Sequence, residues 1–234
     1  MKNLSALLIL VATVAFIAAP SLTTPFMGYD PASFPVVIER PSIQPAGYAF
    51  ALWGLIYLWL LLHAGFGMTR RQDALWEKVR LPHLGSLVLG TAWLAIASGY
   101  PLTATVAIIV MAGFTLTAFL AADPTRDRWL LQAPLGLFAG WLTAASMVSL
   151  GVMIAGYGWL SDTATALTML AVILTVALVV QWRRPSMPTY SAAIVWAAIG
   201  VAVVNWQDNP TAAYAAVLGA LVQVGFATWA FVRR

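Results

Sequence analysis

The strongest constraint in this sequence is the length of its uncharged, apolar runs. Residues 41–69, 81–122, 129–161, 163–182, 185–207 and 209–232 carry no Asp, Glu, Lys or Arg, and a further such run follows Lys2. A bilayer core about 30 Å thick takes roughly 20 helical residues, so runs of this kind read as membrane spans. The run 81–122 is twice the length of one span and contains the turn signal Gly99-Tyr100-Pro101, so it reads as two helices. Eight spans follow, near 4–20, 46–69, 83–98, 102–122, 129–155, 162–182, 189–206 and 211–232. The expected fold class is all-α, a polytopic transmembrane helical bundle.

With 62% hydrophobic and 9% charged residues, the chain lies far from the soluble average of about a quarter charged. Its net charge of +4 is spread as small groups between apolar runs, so no nucleic-acid partner is expected. Eight crossings with the N-terminus inside would place Lys2, Arg70, Arg71, Lys78, Arg80, Arg126, Arg128, Arg183, Arg184, Arg233 and Arg234 on the cytoplasmic side and Arg40 alone outside. Both termini are therefore expected in the cytoplasm, with the chain integral to a bacterial inner membrane. The first twenty residues lack a small-x-small cleavage ending and read as a retained helix rather than a signal peptide.

Aromatic residues mark a candidate site. Pro41 and Pro45 forbid a regular helix before them, so the second span starts near Pro45 or Ala46. Phe50, Trp53 and Tyr57 then fall at i, i+3 and i+7 on one face. Phe138, Trp141 and Ala145 repeat that spacing in the fifth span, with Ala145 leaving room beside the indole. Six of the thirteen prolines lie in residues 20–45, a loop placed to roof an aromatic pocket for a flat apolar ligand.

Trp76, Trp129, Trp159, Trp182, Trp206 and Trp229 lie at span ends, where amphipathic rings favour the interface. Trp53, Trp93 and Trp141 lie inside spans, where their indole N–H groups need either a backbone partner or a ligand. Gly136 and Gly140 form a GxxxG stripe that serves either a homodimer or internal packing.

The centre of every span is free of charge, which argues against an ion-coupled carrier and against paired-carboxylate catalysis. No cysteine is present. His63 and His83 lie on different spans without a nearby carboxylate, so no metal site is expected. For His63 a bond to a neighbouring helix is the ordinary outcome, with axial ligation of haem as the alternative. At 100° per residue it sits about 80° away from the Phe50/Trp53/Tyr57 face.

Arg40-Pro41-Ser42, Pro45-Ala46-Gly47-Tyr48-x-Phe50 and Trp53-Gly54-Leu55-Ile56-Tyr57 together resemble the start of the second helix of the TspO/MBR family, the tryptophan-rich sensory or translocator proteins. Trp93 and Gly140-Trp141-Leu142-Thr143-Ala144-Ala145 extend the resemblance, in order, over about residues 1–155. Gly90 stands where the family usually has Asn, and Ala46 replaces the second Pro of a Pro-Pro pair. The resemblance implies a TspO-like five-helix core (1–155), commonly dimeric, with three additional helices in 156–234. It also implies a pocket roofed by the first loop that binds a tetrapyrrole such as a porphyrin or haem, or another flat apolar ligand. Trp53 and Trp141 with Ala145 would be its walls, and Tyr29 its loop tyrosine. The ligand set expected from residues and resemblance together is Phe50, Trp53, Tyr57, Trp93, Phe138, Trp141 and Ala145, with no required cofactor. The leading expectation is a membrane tetrapyrrole-binding protein with a sensory or regulatory role. Its alternatives are an enzyme for tryptophan-dependent oxidative porphyrin breakdown, a permease for a small apolar metabolite, and a structural assembly partner.

Overall fold

The computed structural model describes residues 2–23, 26 and 28–233, and among these it contains eight α-helices and no strand. They are α1 (Lys2–Ala18), α2 (Leu52–Thr69), α3 (Ala74–Ala97), α4 (Pro101–Ala121), α5 (Gln132–Gly156), α6 (Asp162–Arg183), α7 (Thr189–Asn205) and α8 (Pro210–Val232). Seven helical segments are long and apolar enough to cross a membrane, the first being α1 with the 3-10 turn that follows it (Asn3–Leu22), whereas α7 is apolar but has 17 residues.

Three helix starts differ from the sequence expectation. The second span opens with a 3-10 stretch, Gly47–Ala51, before α2 begins at Leu52. The third helix starts at Ala74 rather than near 83: Asp73 caps it by accepting from Leu75 N at 2.8 Å, and the helix continues through Pro82. The fifth starts at Gln132, because Leu130 and Leu131 are held in a turn by the Asp127 carbonyl.

The early start of α3 also moves Trp76. Instead of lying at the interface it is fully buried against Gly67, and its Nε1 donates to Asp127 at 2.8 Å. Trp129, Trp159, Trp182, Trp206 and Trp229 are exposed, as expected of interfacial rings.

The bundle is organised on α5, which is buried along most of its length and is touched by α2, α4, α6 and α7. Its glycine stripe faces α7. A Cβ at Gly140 would collide with the Tyr190 carbonyl, and one at Gly136 would lie 2.6 Å from Thr189 Oγ1. Thr189 Oγ1 donates to Ala133 O at 2.9 Å and Tyr190 Oη to Thr143 Oγ1 at 3.1 Å. The GxxxG stripe is thus occupied inside the chain, which removes it as a dimer surface.

Polar contacts separate the two ends of the bundle. At the arginine-rich end, Arg70 pairs with Asp127 at 2.8 Å, Arg126 with Asp73 at 3.1 Å, and Arg128 donates to Ser186 O. At the other end the 41–46 segment is pinned by the last three helices. Ser42 bonds to Asp162, Asn205 Nδ2 donates to Ser42 O at 2.8 Å, and Asn209 Nδ2 donates to Ser42 Oγ at 2.9 Å. Gly200 lies against Pro45 and Ala49, and its carbonyl accepts from Ala46 N at 3.0 Å.

Candidate ligand site

This pinning orients the start of α2 toward α5. From the 3-10 turn onward, Phe50, Trp53 and Tyr57 point inward together and meet the Trp141 face of α5. Phe50 is edge-on to Trp141 with centroids 5.9 Å apart, and Trp53 stacks on Tyr57 at 5.3 Å and 25°. With Trp93 and Ala145 these residues line an internal chamber of about 240 Å³. An adjoining chamber of about 70 Å³ shares Phe50, Trp93, Trp141 and Ala145 and reaches the loop at Tyr29 and Gln44. The walls of the smaller chamber are almost wholly apolar and those of the larger one mainly so.

Six of the seven residues expected at the site therefore line one cavity. The seventh, Phe138, is completely buried but lies behind the wall, packed on Trp53 at 6.1 Å and Phe16 at 5.6 Å. Its i, i+3 spacing to Trp141 sets the two side chains about 60° apart around the helix. That separation is enough for one ring to face the cavity while the other faces α1 and α3.

Nine lining residues of the main chamber were not among those expected, Phe16, Phe26 and Gly90 being the most telling. Phe16 reaches the cavity from α1, Phe26 comes from the loop and sits 5.0 Å from Trp93, and Gly90 forms part of the α3 wall. Phe16 falls in a run of uniformly apolar residues whose periodicity marks no inner face. Gly90 was visible as a departure from the family pattern.

Tyr29 closes the loop side. Its hydroxyl lies 2.6 Å from Ser149 Oγ and 3.3 Å from Thr105 Oγ1, and these two are 2.8 Å apart. Burial pushes the Tyr29 phenol up, against the opposing pull of these two hydroxyls.

Four indole donors find acceptors, one of them, Trp93, in the cavity wall. Trp59, Trp93 and Trp196 donate to the carbonyls of Trp129, Ala104 and Ala49 at 2.8, 2.8 and 2.9 Å, and Trp76 donates to Asp127. Trp141 Nε1 is buried with no acceptor. An unsatisfied donor in a low-dielectric interior costs free energy on the order of 1–3 kcal/mol.

The histidines lie away from the cavity. His63 Nδ1 donates to Leu130 O at 2.8 Å and its ring stacks on Trp76 at 4.9 Å, while His83 is 5.2 Å from His63. His63 is thus buried and bonded to the turn before α5 rather than to a helix, and its ring does not line either chamber. Among the described residues no group of three or more His, Cys, Asp or Glu is placed to hold a metal.

A family model described as TSPO-like protein matches residues 4–229. The chain belongs to the TSPO-like family. The match runs from α1 into α8, so the TSPO-like region takes in the last three helices, which pin the loop, as well as the helices that form the cavity. No curated protein and no solved structure matches the chain.

Proposed function

We propose that this TSPO-like membrane protein binds a flat apolar ring system, of the tetrapyrrole class, between Trp53 and Trp141 beneath the first loop. The observation that carries this reading is the Trp141 indole. It belongs to a cavity wall, and its N–H is buried without an acceptor, while four other indoles in the chain each have one. A ring with an acceptor atom at its edge would add stacking on the aromatic walls and satisfy that donor after a small rotation. Apolar burial supplies the affinity, and ordering of the loop opposes it.

The sensory or regulatory role rests on the family resemblance, and placement of both termini in the cytoplasm rests on the arginine distribution. The test is titration of purified protein with protoporphyrin, followed by absorbance and Trp fluorescence. Saturable binding that is lost when Trp53→Ala and Trp141→Ala are combined is the expected result. Absence of saturable binding, or binding indifferent to both substitutions, would overturn the reading.

A further inference from the structure

Pockets that hold drug-sized ligands run to about 300–1,000 Å³. The main chamber, at about 240 Å³, falls short of that range. The side chain that limits it is identifiable. Phe16 enters from α1 and stands edge-on to Trp53 at 5.9 Å and to Tyr57 at 5.4 Å, with its ring almost completely buried. It occupies the same aromatic box in which a ligand ring would stack.

Gly90 is what seats it there. A Cβ at position 90 would lie 2.5 Å from Phe16 Cε2, 2.9 Å from Cδ2 and 2.7 Å from Met111 Cε. A side chain at this point of α3 would force the Phe16 ring and Met111 to shift, since both rest against the glycine. The family's usual Asn is incompatible with Phe16 in this position.

We infer that Phe16, seated on Gly90, is the specificity-determining residue of the cavity and sets the size of ring system it accepts. The inference rests on the binding reading above and deepens it. With Phe16 in place, a flat ligand of two or three fused rings fits the chamber without rearrangement. A complete macrocycle enters only by displacing that ring, so it binds with a penalty that removal of Phe16 abolishes.

Two probes separate the outcomes: acridine, a flat three-ring molecule with one acceptor nitrogen that is neutral at mildly alkaline pH, and protoporphyrin. Each is titrated against the full chain in nanodiscs, and the ratio of the two affinities is read. Phe16→Ala is expected to shift that ratio toward protoporphyrin by an order of magnitude or more, with Phe16→Leu intermediate. Gly90→Ala, whose methyl presses the Phe16 ring away from α3 and into the chamber, is expected to weaken both probes. Adding Phe16→Ala to it removes the clash with Phe16 and is expected to recover part of the binding, whereas the affinity ratio in the Phe16 variants is the readout that a merely structural role would not move. An unchanged ratio in Phe16→Ala and Phe16→Leu proteins that still bind a probe would overturn the size filter alone. A wild-type chain that binds acridine but not protoporphyrin would overturn the tetrapyrrole reading and leave the filter to stand or fall on whether Phe16→Ala gains protoporphyrin binding, and failure to bind either probe would overturn both.

Discussion

The indoles of Trp53 and Trp141 come from helices separated by more than sixty residues of intervening chain, yet their centroids lie 6.1 Å apart with ring planes at 84°. This edge-to-face arrangement is a favourable aromatic geometry. It also turns two walls of one chamber at right angles, so a flat ligand stacking on one ring presents its edge to the other. Beside this contact Ala144 and Ala145 line the adjoining chamber, where their small side chains leave the space open.

Because each ring also shapes the other, the two tryptophans should act as a coupled pair toward the ligand. Each of Trp53→Ala and Trp141→Ala is expected to weaken protoporphyrin binding by about 1–3 kcal/mol, with the double variant falling short of the sum by at least about 0.5 kcal/mol. Isothermal titration of the four proteins measures the coupling, and strict additivity would show that the rings act separately.

The glycines of α5 are a contrasting case, in which the effect is on stability alone. Gly140→Ala forces a methyl against the Tyr190 carbonyl, a backbone atom that cannot step aside, and overpacking of this kind costs about 1–3 kcal/mol. Gly54→Ala on α2 meets nothing within 4 Å and should be neutral or stabilising by up to about 1 kcal/mol through helix propensity. The thermal unfolding temperature in one detergent is expected to fall for Gly140→Ala and to hold or rise for Gly54→Ala.

What could be read from the sequence follows the range of the interactions involved. Long uncharged runs and the 50, 53, 57 spacing are local patterns, and they located the helices and the α2 wall. Phe138 shows the limit of periodicity: in a helix buried on nearly every side, as α5 is, all faces are apolar and spacing cannot say which one meets a cavity. Trp76 was misplaced because the charged residues Glu77, Lys78 and Arg80 read as a loop, although they form the first turns of a helix capped by Asp73. The clamp on Ser42 depends on residues more than a hundred positions away, and nothing near Ser42 announces them.

Asp127 gives a pH dependence with a defined sign. It sits at φ 47°, a left-handed conformation that Asp and Asn tolerate, and the hydrogen bond from Arg70 holds its carboxyl below the usual carboxylate range. A carboxyl depressed in the folded state stabilises the fold above its unfolded pKa, about 3.9, and that contribution disappears as pH falls through the lower folded value. Asp127→Asn keeps the backbone conformation and an acceptor for Trp76 but loses the charge. Its Tm should lie a few degrees below wild type at neutral pH. The two melting curves should converge on acidification below the ordinary carboxylate range, and a gap that persists there would assign the effect to something other than ionisation.

Asn205 tests what the last three helices contribute. Its Nδ2 bridges the carbonyls of Ser42 and Val201, both at 2.8 Å, and so ties the end of α7 to the segment leading into the aromatic face of α2. Asn205→Ala removes the bridge while leaving Trp53, Trp141 and Phe16 untouched. An unsatisfied buried carbonyl at Ser42 costs about 1–3 kcal/mol, and the segment recovers that by opening to water. Amide hydrogen exchange at residues 42–46 should therefore accelerate in the variant, while the middle of α5 stays protected. Ligand association should change more than the final ring contacts do, because it is the approach to the chamber that loosens. Unchanged exchange at 42–46 would mean that Asp162, Asn209 and Gly200 hold the segment without Asn205.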